Sequence, residues 1–347
     1  MKVRDYKISY IRAISTVMVV ALHTANHLAK TAPCIVADWL NLGLVMFFVM
    51  SAFLYSKRTI SNKDYKAWLL HRYSEIVIPS FFAALLAIAY FYALVYAGNG
   101  TVSKQNILSS IICGLGFEAF APAPWKFVEY WFLTYILICY VFLPLIQKID
   151  FKKPKNFQFW IGILLMSVIM QGILSVSGIP ISWGVMLRFY LAYAVFRRYD
   201  VQDIECRKTI IALSICVIPF IAAVCYIRYF LVLDGTLAML AELFFIYIQS
   251  FAGLALFYWL YILFGHMKNL PKLIKITDKY SYPVYLTHSF FIGYDTSLID
   301  KFDNRVLGIA VALLLTALAS TVVLVVTKPI NRKINSCINK THIKKSA

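Results

Sequence analysis

The chain has 347 residues, of which 61% are hydrophobic and only 14% charged. A soluble chain carries about 25% charge and about 45–50% apolar residues, so this composition excludes an ordinary soluble domain and points to a polytopic membrane protein. The net charge of +18 at pH 7 would suit nucleic acid if the basic residues formed one stripe. They fall instead in alternate connections between apolar runs, and no nucleic-acid partner is expected.

A spanning helix needs roughly 20 apolar residues, with a range of about 17–25. Runs of that kind fall at 8–29, 38–56 and 75–97. A long connection, 98–126, follows; its apolar run from Ile107 to Phe120 is too short to cross and is expected to be re-entrant or interfacial. Further runs lie at 127–147, 157–176, 181–197 (the shortest), 209–230, 237–264, 280–298 and 306–327. The expected fold is therefore all-α, with about ten transmembrane helices.

Charge distribution tests that count independently. Lys and Arg concentrate before residue 8, in 57–74, 148–156, 198–208 and 265–279, and after 327, whereas the opposite connections are poor in them and 177–180 has none. This alternation is the positive-inside pattern of an even number of spans with both termini cytoplasmic. One membrane-embedded domain over 1–347 is expected, with spans within 8–328 and a basic cytoplasmic tail at 329–347. The first run is too long for a cleavable signal, and no small-residue cleavage site follows it.

None of the seven cysteines forms a CxxC pair, and no His/Cys cluster has zinc spacing. No metal site is expected. Cys34 and Cys113 both fall on the external side, which leaves a disulfide between them open.

Ionisable groups inside spans are expensive and mark a cavity with a function. Within the runs or at their edges stand Arg12, His23, His27, Arg72, Glu75, Glu129, Arg188, Glu242, His288 and Asp295. On a helix turning about 100° per residue, Arg12 and His23 share a face with Ser15, Thr16, Val19, Asn26 and His27. Lipid cannot satisfy such a stripe, so it must face protein or water. A second polar face lies on the ninth run, where Ser281, Tyr285 and His288 recur at helical spacing. A lone His on an apolar helix is more often a satisfied core residue than a catalyst, and Arg72 alone would read as a cytoplasmic anchor.

Several separated motifs nevertheless fall in one order. They are Arg12 and His23 separated by ten residues; "FFVMSAFLYSKR" from Phe47 to Arg58; Arg72 with Pro79; Trp131-Phe132-Leu133; and Ser281-Tyr282-x-x-Tyr285-Leu286-x-His288. Together they resemble the integral-membrane acyltransferase-3 family of cell-surface polysaccharide O-acyltransferases, over nearly the whole chain. The chain departs from that family's pattern at four places. Ala52 replaces a Gly, Ser9 stands where Asp often precedes the Arg, Glu75 takes a basic position, and Tyr130 stands where His often precedes Trp-Phe-Leu.

The resemblance implies transfer of an acyl group, most often acetyl, from cytoplasmic acetyl-CoA (acyl-CoA) to a hydroxyl of a cell-surface glycan or its lipid-linked precursor. It implies a multi-pass protein of a bacterial cell (inner) membrane, with acyl-CoA, the glycan and membrane lipids as partners and no bound cofactor. Acyl transfer to a hydroxyl needs a base, and imidazole suits that role near neutrality. It also needs donors where the oxyanion develops. His23 is the expected base, with His288 and Tyr285 orienting groups or oxyanion donors. Arg12 and Arg72, with Trp131 and Ser281, are the expected acyl-CoA or substrate contacts. His27 lies one turn beyond His23, outside the motif.

Two other classes stay open. Ten spans with buried His, Arg and Glu would serve a proton-coupled secondary transporter, although no internal repeat or paired helix interruption accompanies them. A non-catalytic membrane scaffold would tolerate Leu or Val throughout the polar stripe. The acceptor, the position acylated, the acyl group and the oligomeric state are not written in these motifs.

Overall fold

The computed structural model describes residues 5–29, 35–97, 103–121, 128–231, 234–267, 269–293 and 297–346. Helices dominate, as expected: α1 (Tyr6–Ala29), α2 (Ile35–Leu40), α3 (Leu42–Ser56), α4 (Tyr65–Ala97), α5 (Lys104–Gly114), α6 (Trp131–Ile146), α7 (Asn156–Ser177), α8 (Trp183–Arg198), α9 (Ile204–Phe230), α10 (Gly235–Leu263), α11 (Lys272–Ile292) and α12 (Arg305–Ser346). Among the described residues, seven segments are long and apolar enough to cross a membrane. The remaining three of the expected ten correspond to α6, α8 and α11. Cys34 and Asp295 lie outside the described residues, and so does the question of the Cys34–Cys113 pair.

The helices form two compact units, each built from two stretches of chain. The first comprises Met1–Thr59 and Leu145–Asp278. Its centre is α3, which packs on α1, α8 and α10. Val45, Met46, Phe48, Val49 and Ala52 of α3 are fully buried, and Phe53 sits among Phe196, Phe257 and Tyr261 with ring centroids 5.0–5.4 Å away. Small residues let the backbones approach, as membrane helix packing requires. A Cβ on Gly43 would lie 2.6 Å from Met18 Cβ and 2.8 Å from the Ser15 carbonyl on α1; one on Gly253 would lie 2.3 Å from Val45 Cγ1.

Burial explains why α8 is the least apolar-looking span. The residues from Trp183 to Phe196 are buried by protein, so the helix has no need of a lipid-compatible surface and carries Gly184, Arg188, Tyr190 and Tyr193. By contrast α7 and α9 expose Leu164, Val168, Ile215 and Ile218, which suits hydrocarbon.

The second expected span is broken. Helix α2 ends at Leu40, Asn41 intervenes, and α3 begins at Leu42. The break is tolerated because its polar groups are answered by protein. The Asn41 amide nitrogen donates to the Ala37 carbonyl at 3.1 Å, and its side chain donates to Gln249 Oε1 at 3.0 Å.

The second unit comprises Ile60–Pro144 and Lys279–Ala347, with α4 packed on both α12 and α5. Helix α4 starts at Tyr65, well before the expected 75, because the polar turns ahead of the apolar run are themselves helical. The short run after residue 104 is α5, whose 11 residues rise only about 16 Å. It seats Ser109, Ser110 and Cys113 inward, and Ser80 Oγ donates to the Gly114 carbonyl. Beyond Pro329 the tail is more than a basic extension: α12 continues through it. Asn335 Oδ1 takes a hydrogen bond from Ser74 Oγ at 3.2 Å and lies 2.8 Å from His71 Nδ1.

Candidate active site

In the first unit the polar stripe of α1 is turned inward for its first half. Ser15, Thr16 and Val19 are buried, Arg12 and His23 are partly so, and Val17 on the opposite side is exposed. The two hydroxyls bond back along the helix, Ser15 Oγ donating to the Ile11 carbonyl and Thr16 Oγ1 to the Arg12 carbonyl, each at 2.8 Å. They thereby add no unmet donor to the interior. Close approach of α3 at Gly43 fixes this face, since Ser15 and Met18 are the atoms it meets. Arg12 and His23 are about 16 Å apart along the axis. Asn26 is exposed, and His27 is partly buried.

Arg12 is held by a residue that sequence reasoning did not single out. Its Nη1 donates to Asp278 Oδ1 at 2.7 Å; the carboxylate side chain is 0% exposed and the arginine 32%. Asp278 supplies from α11 the acidic partner that Ser9, itself buried, does not supply from α1. Charge-assisted bonds of this kind fix orientation as well as adding energy. Tyr10 braces the same end of α1, stacking on Phe264 at 4.7 Å and donating to the Asn269 carbonyl at 3.0 Å.

A second polar network in this unit surrounds the helix break. Arg188 Nη2 donates to Gln249 Oε1 at 3.1 Å, and Gln249 Nε2 donates to the Asp38 carbonyl at 2.8 Å. Tyr229 donates to Asp38 Oδ2. Arg188 stood out in sequence as an intramembrane cation; Gln249, Asn41 and Tyr229 did not, because neutral polar residues on apolar helices are common.

In the second unit α11 meets the start of α6. Tyr285 donates its hydroxyl to the Glu129 carbonyl, and Tyr130 donates to the Leu286 carbonyl at 3.1 Å. Phe132 packs edge-on against Tyr285 with centroids 5.5 Å apart. Tyr130 is fully buried, so the departure from His at this position has a plain role in tying two helices. Glu129 is buried beside His288 and Ser289. Tyr282 donates to the Ile76 carbonyl of α4 at 2.7 Å.

His288 is 0% exposed. Its Nδ1 lies 2.8 Å from the Tyr285 carbonyl and 3.0 Å from the Val284 carbonyl. Two acceptors at one ring nitrogen assign a proton there, so that in the neutral ring Nε2 is the lone-pair nitrogen. The Tyr285 hydroxyl has a single proton, and that proton is directed to Glu129.

Of the other expected residues, Ser281 is buried one turn before Tyr285. Trp131 is partly buried and packs edge-on against Tyr135 at 5.7 Å. Arg72 Nη1 donates to Glu75 Oε2 at 2.6 Å, with the two side chains 33% and 43% exposed. The acid at position 75 is thus the partner of Arg72. Among the described residues no group of His, Cys, Asp and Glu could hold a metal.

These features define an all-α polytopic membrane protein whose units each bury histidine, arginine or carboxylate side chains in ordered hydrogen bonds. A family model described as an acyltransferase domain, of the acyltransferase-3 kind, matches residues 5–327. The chain belongs to that family and is a membrane acyltransferase. Comparisons with curated proteins and with solved structures gave no match.

Proposed function

We propose that the protein transfers an acetyl group from cytoplasmic acetyl-CoA to a hydroxyl of a cell-surface glycan, or of its lipid-linked precursor, in the inner membrane of a bacterium. The observation that carries this reading is the α1 face, where a carboxylate-oriented arginine and a histidine share one inward stripe about 16 Å apart. That separation is about half of the ~30 Å hydrocarbon thickness. An anionic donor head held near Arg12 could pass its thioester along the stripe toward His23. Arg72, in the second unit, is a further proposed donor contact. Acetyl-CoA is a donor substrate here, not a resident cofactor.

In the proposed reaction His23 takes the acceptor hydroxyl proton as the oxygen attacks the thioester carbonyl. The C–O bond forms, the C–S bond breaks, and the proton passes to the departing thiolate, giving the ester and free CoA. General-base assistance contributes about 10²–10⁴-fold. Tyr285 positions the turn before α6 through Glu129. With Nδ1 facing two backbone carbonyls, a neutral His288 would carry its lone pair on Nε2 and be a second imidazole able to accept a proton. Trp131 and Ser281 are proposed substrate contacts.

Mass spectrometry of surface glycans from a parent and a deletion strain tests the reading. Loss of one acetyl from one sugar, restored by the wild-type gene and not by His23→Ala, supports it. Identical glycans under expressing conditions contradict it.

A further inference from the structure

The first unit holds a cavity of about 230 Å³ beside α7 and α8. One end is bordered by the connection after α6, at Phe151 and Pro154; the walls include Gly162 and Met166 of α7 and Trp183 and Ala194 of α8. The lining is mostly carbon, with polar side chains at Gln158, Ser167, Trp183 and Tyr190, and contains no Asp, Glu, Lys or Arg. Of these, Ser167 Oγ donates back to the Ile163 carbonyl at 2.8 Å. From Ala194 to Trp183, α8 rises about 16 Å, close to one leaflet of a ~30 Å hydrocarbon core.

Gly162 borders open space in the slot. A Cβ there would meet nothing within 4 Å, although glycine weakens a helix interior. Charge lies beside the cavity at the end bordered by the connection after α6. Lys148, Lys152, Lys153 and Lys155 are exposed in this connection, with Asp150 the one acidic residue among them. Arg198 fixes the shape of the connection by donating to the carbonyls of Phe151 and Pro154 and to Asn156 Oδ1, and by lying over the Phe159 ring at 4.8 Å.

We propose that this cavity binds an anionic glycerophospholipid, with one acyl chain between α7 and α8 and the phosphate headgroup on Lys152, Lys153 and Lys155. A mostly apolar slot between α7 and α8, with the lysine-rich connection at one end, matches both halves of that molecule. The amide-bearing arm of a CoA thioester would find few polar partners in the same slot, at a cost. The site is independent of the acyl-transfer chemistry.

Full-length protein in phosphatidylcholine nanodiscs, doped with phosphatidylglycerol or phosphatidylcholine carrying a photoactivatable acyl tail, provides the test. Labelling is mapped by peptide mass spectrometry. Phosphatidylglycerol should label Met166 and the 183–194 segment well above phosphatidylcholine. Each Lys→Gln change at 152, 153 or 155 should lower that labelling about fivefold. Gly162→Phe should abolish it. Gly172→Phe, at a position also open within 4 Å but outside the cavity, should not. Equal labelling by both headgroups, labelling unchanged in Gly162→Phe, or displacement by acetyl-CoA would each overturn the proposal. If Gly162→Phe fails to fold, the surface lysine variants decide.

Discussion

Arg12 and Asp278 are 266 positions apart in sequence, yet Nη1 and Oδ1 meet at 2.7 Å. The carboxylate is fully buried and the guanidinium about a third exposed. Removing the arginine takes a charged partner from a buried anion, whereas removing both charges leaves no such anion. Arg12→Ala should therefore destabilise the protein by about 2 kcal/mol, discounted for the exposure of the arginine. Arg12→Ala with Asp278→Ala should recover most of that stability in detergent thermal melts without recovering donor affinity. If the double variant also regains wild-type KM for acetyl-CoA, Arg12 is a structural partner and not a donor contact.

Variants of Tyr285 and His288 distinguish positioning from chemistry. Tyr285→Phe leaves the buried Glu129 carbonyl without its donor, a loss of about 1–3 kcal/mol of stability. The same change should lower kcat far less than the roughly 10²–10³-fold that loss of an oxyanion donor causes. A fall of that larger size at unchanged stability would return Tyr285 to the oxyanion. His288→Gln should reduce kcat with little change in donor KM, while His288→Ala should also loosen the α11–α6 contact seen in proteolysis.

Packing at Gly43 makes a prediction remote from any reacting group. Its Cβ would fall inside contact distance of both Met18 and the Ser15 carbonyl, so Gly43→Ala must push α1 off α3. Overpacking of this kind costs about 1–3 kcal/mol. It should lower activity by displacing the stripe, with the protein still folded by size-exclusion chromatography. Full activity in Gly43→Ala would show that the α1 face has slack.

Apolar runs of spanning length made the helices legible, because in hydrocarbon a chain must meet its backbone hydrogen bonds within itself. Helix α8 was legible as the shortest of these runs, 181–197, and it is buried along its length, so its span rests on packing more than on transfer energy. Two features were not legible in this way. Asp278 sits in a stretch, "KLIKITDKY", that reads as a cytoplasmic connection, and only the approach of α11 to α1 reveals its role. The tail past Pro329 looked like a loose basic end; the helix persists there with Asn335 joined to His71 and Ser74. In the candidate site, Arg12, His23, Tyr285 and His288 stood out because they break an apolar pattern. Gln249 and Tyr130 did not, since their importance lies in which carbonyl or arginine they meet.

The buried network at Arg188 should be unforgiving. Gln249→Leu removes the acceptor of the Arg188 Nη2 bond, 3.1 Å away, and leaves a cation that is 3% exposed with one fewer partner. A destabilisation of about 3 kcal/mol or more is expected, and Arg188→Leu in the same chain should relieve part of it. Thermal melts of the two single variants and the double variant measure the coupling.

The most direct measurement follows both products of the reaction in proteoliposomes. Wild-type protein supplied with acetyl-CoA on the side of Arg12 and a glycan acceptor on the other should release one CoA thiol per alkali-labile acetyl ester formed. His23→Ala should form neither while still binding the donor. Acylation by His23→Ala at the wild-type rate, or acceptor accumulation driven by a pH gradient without thiol release, would contradict the account.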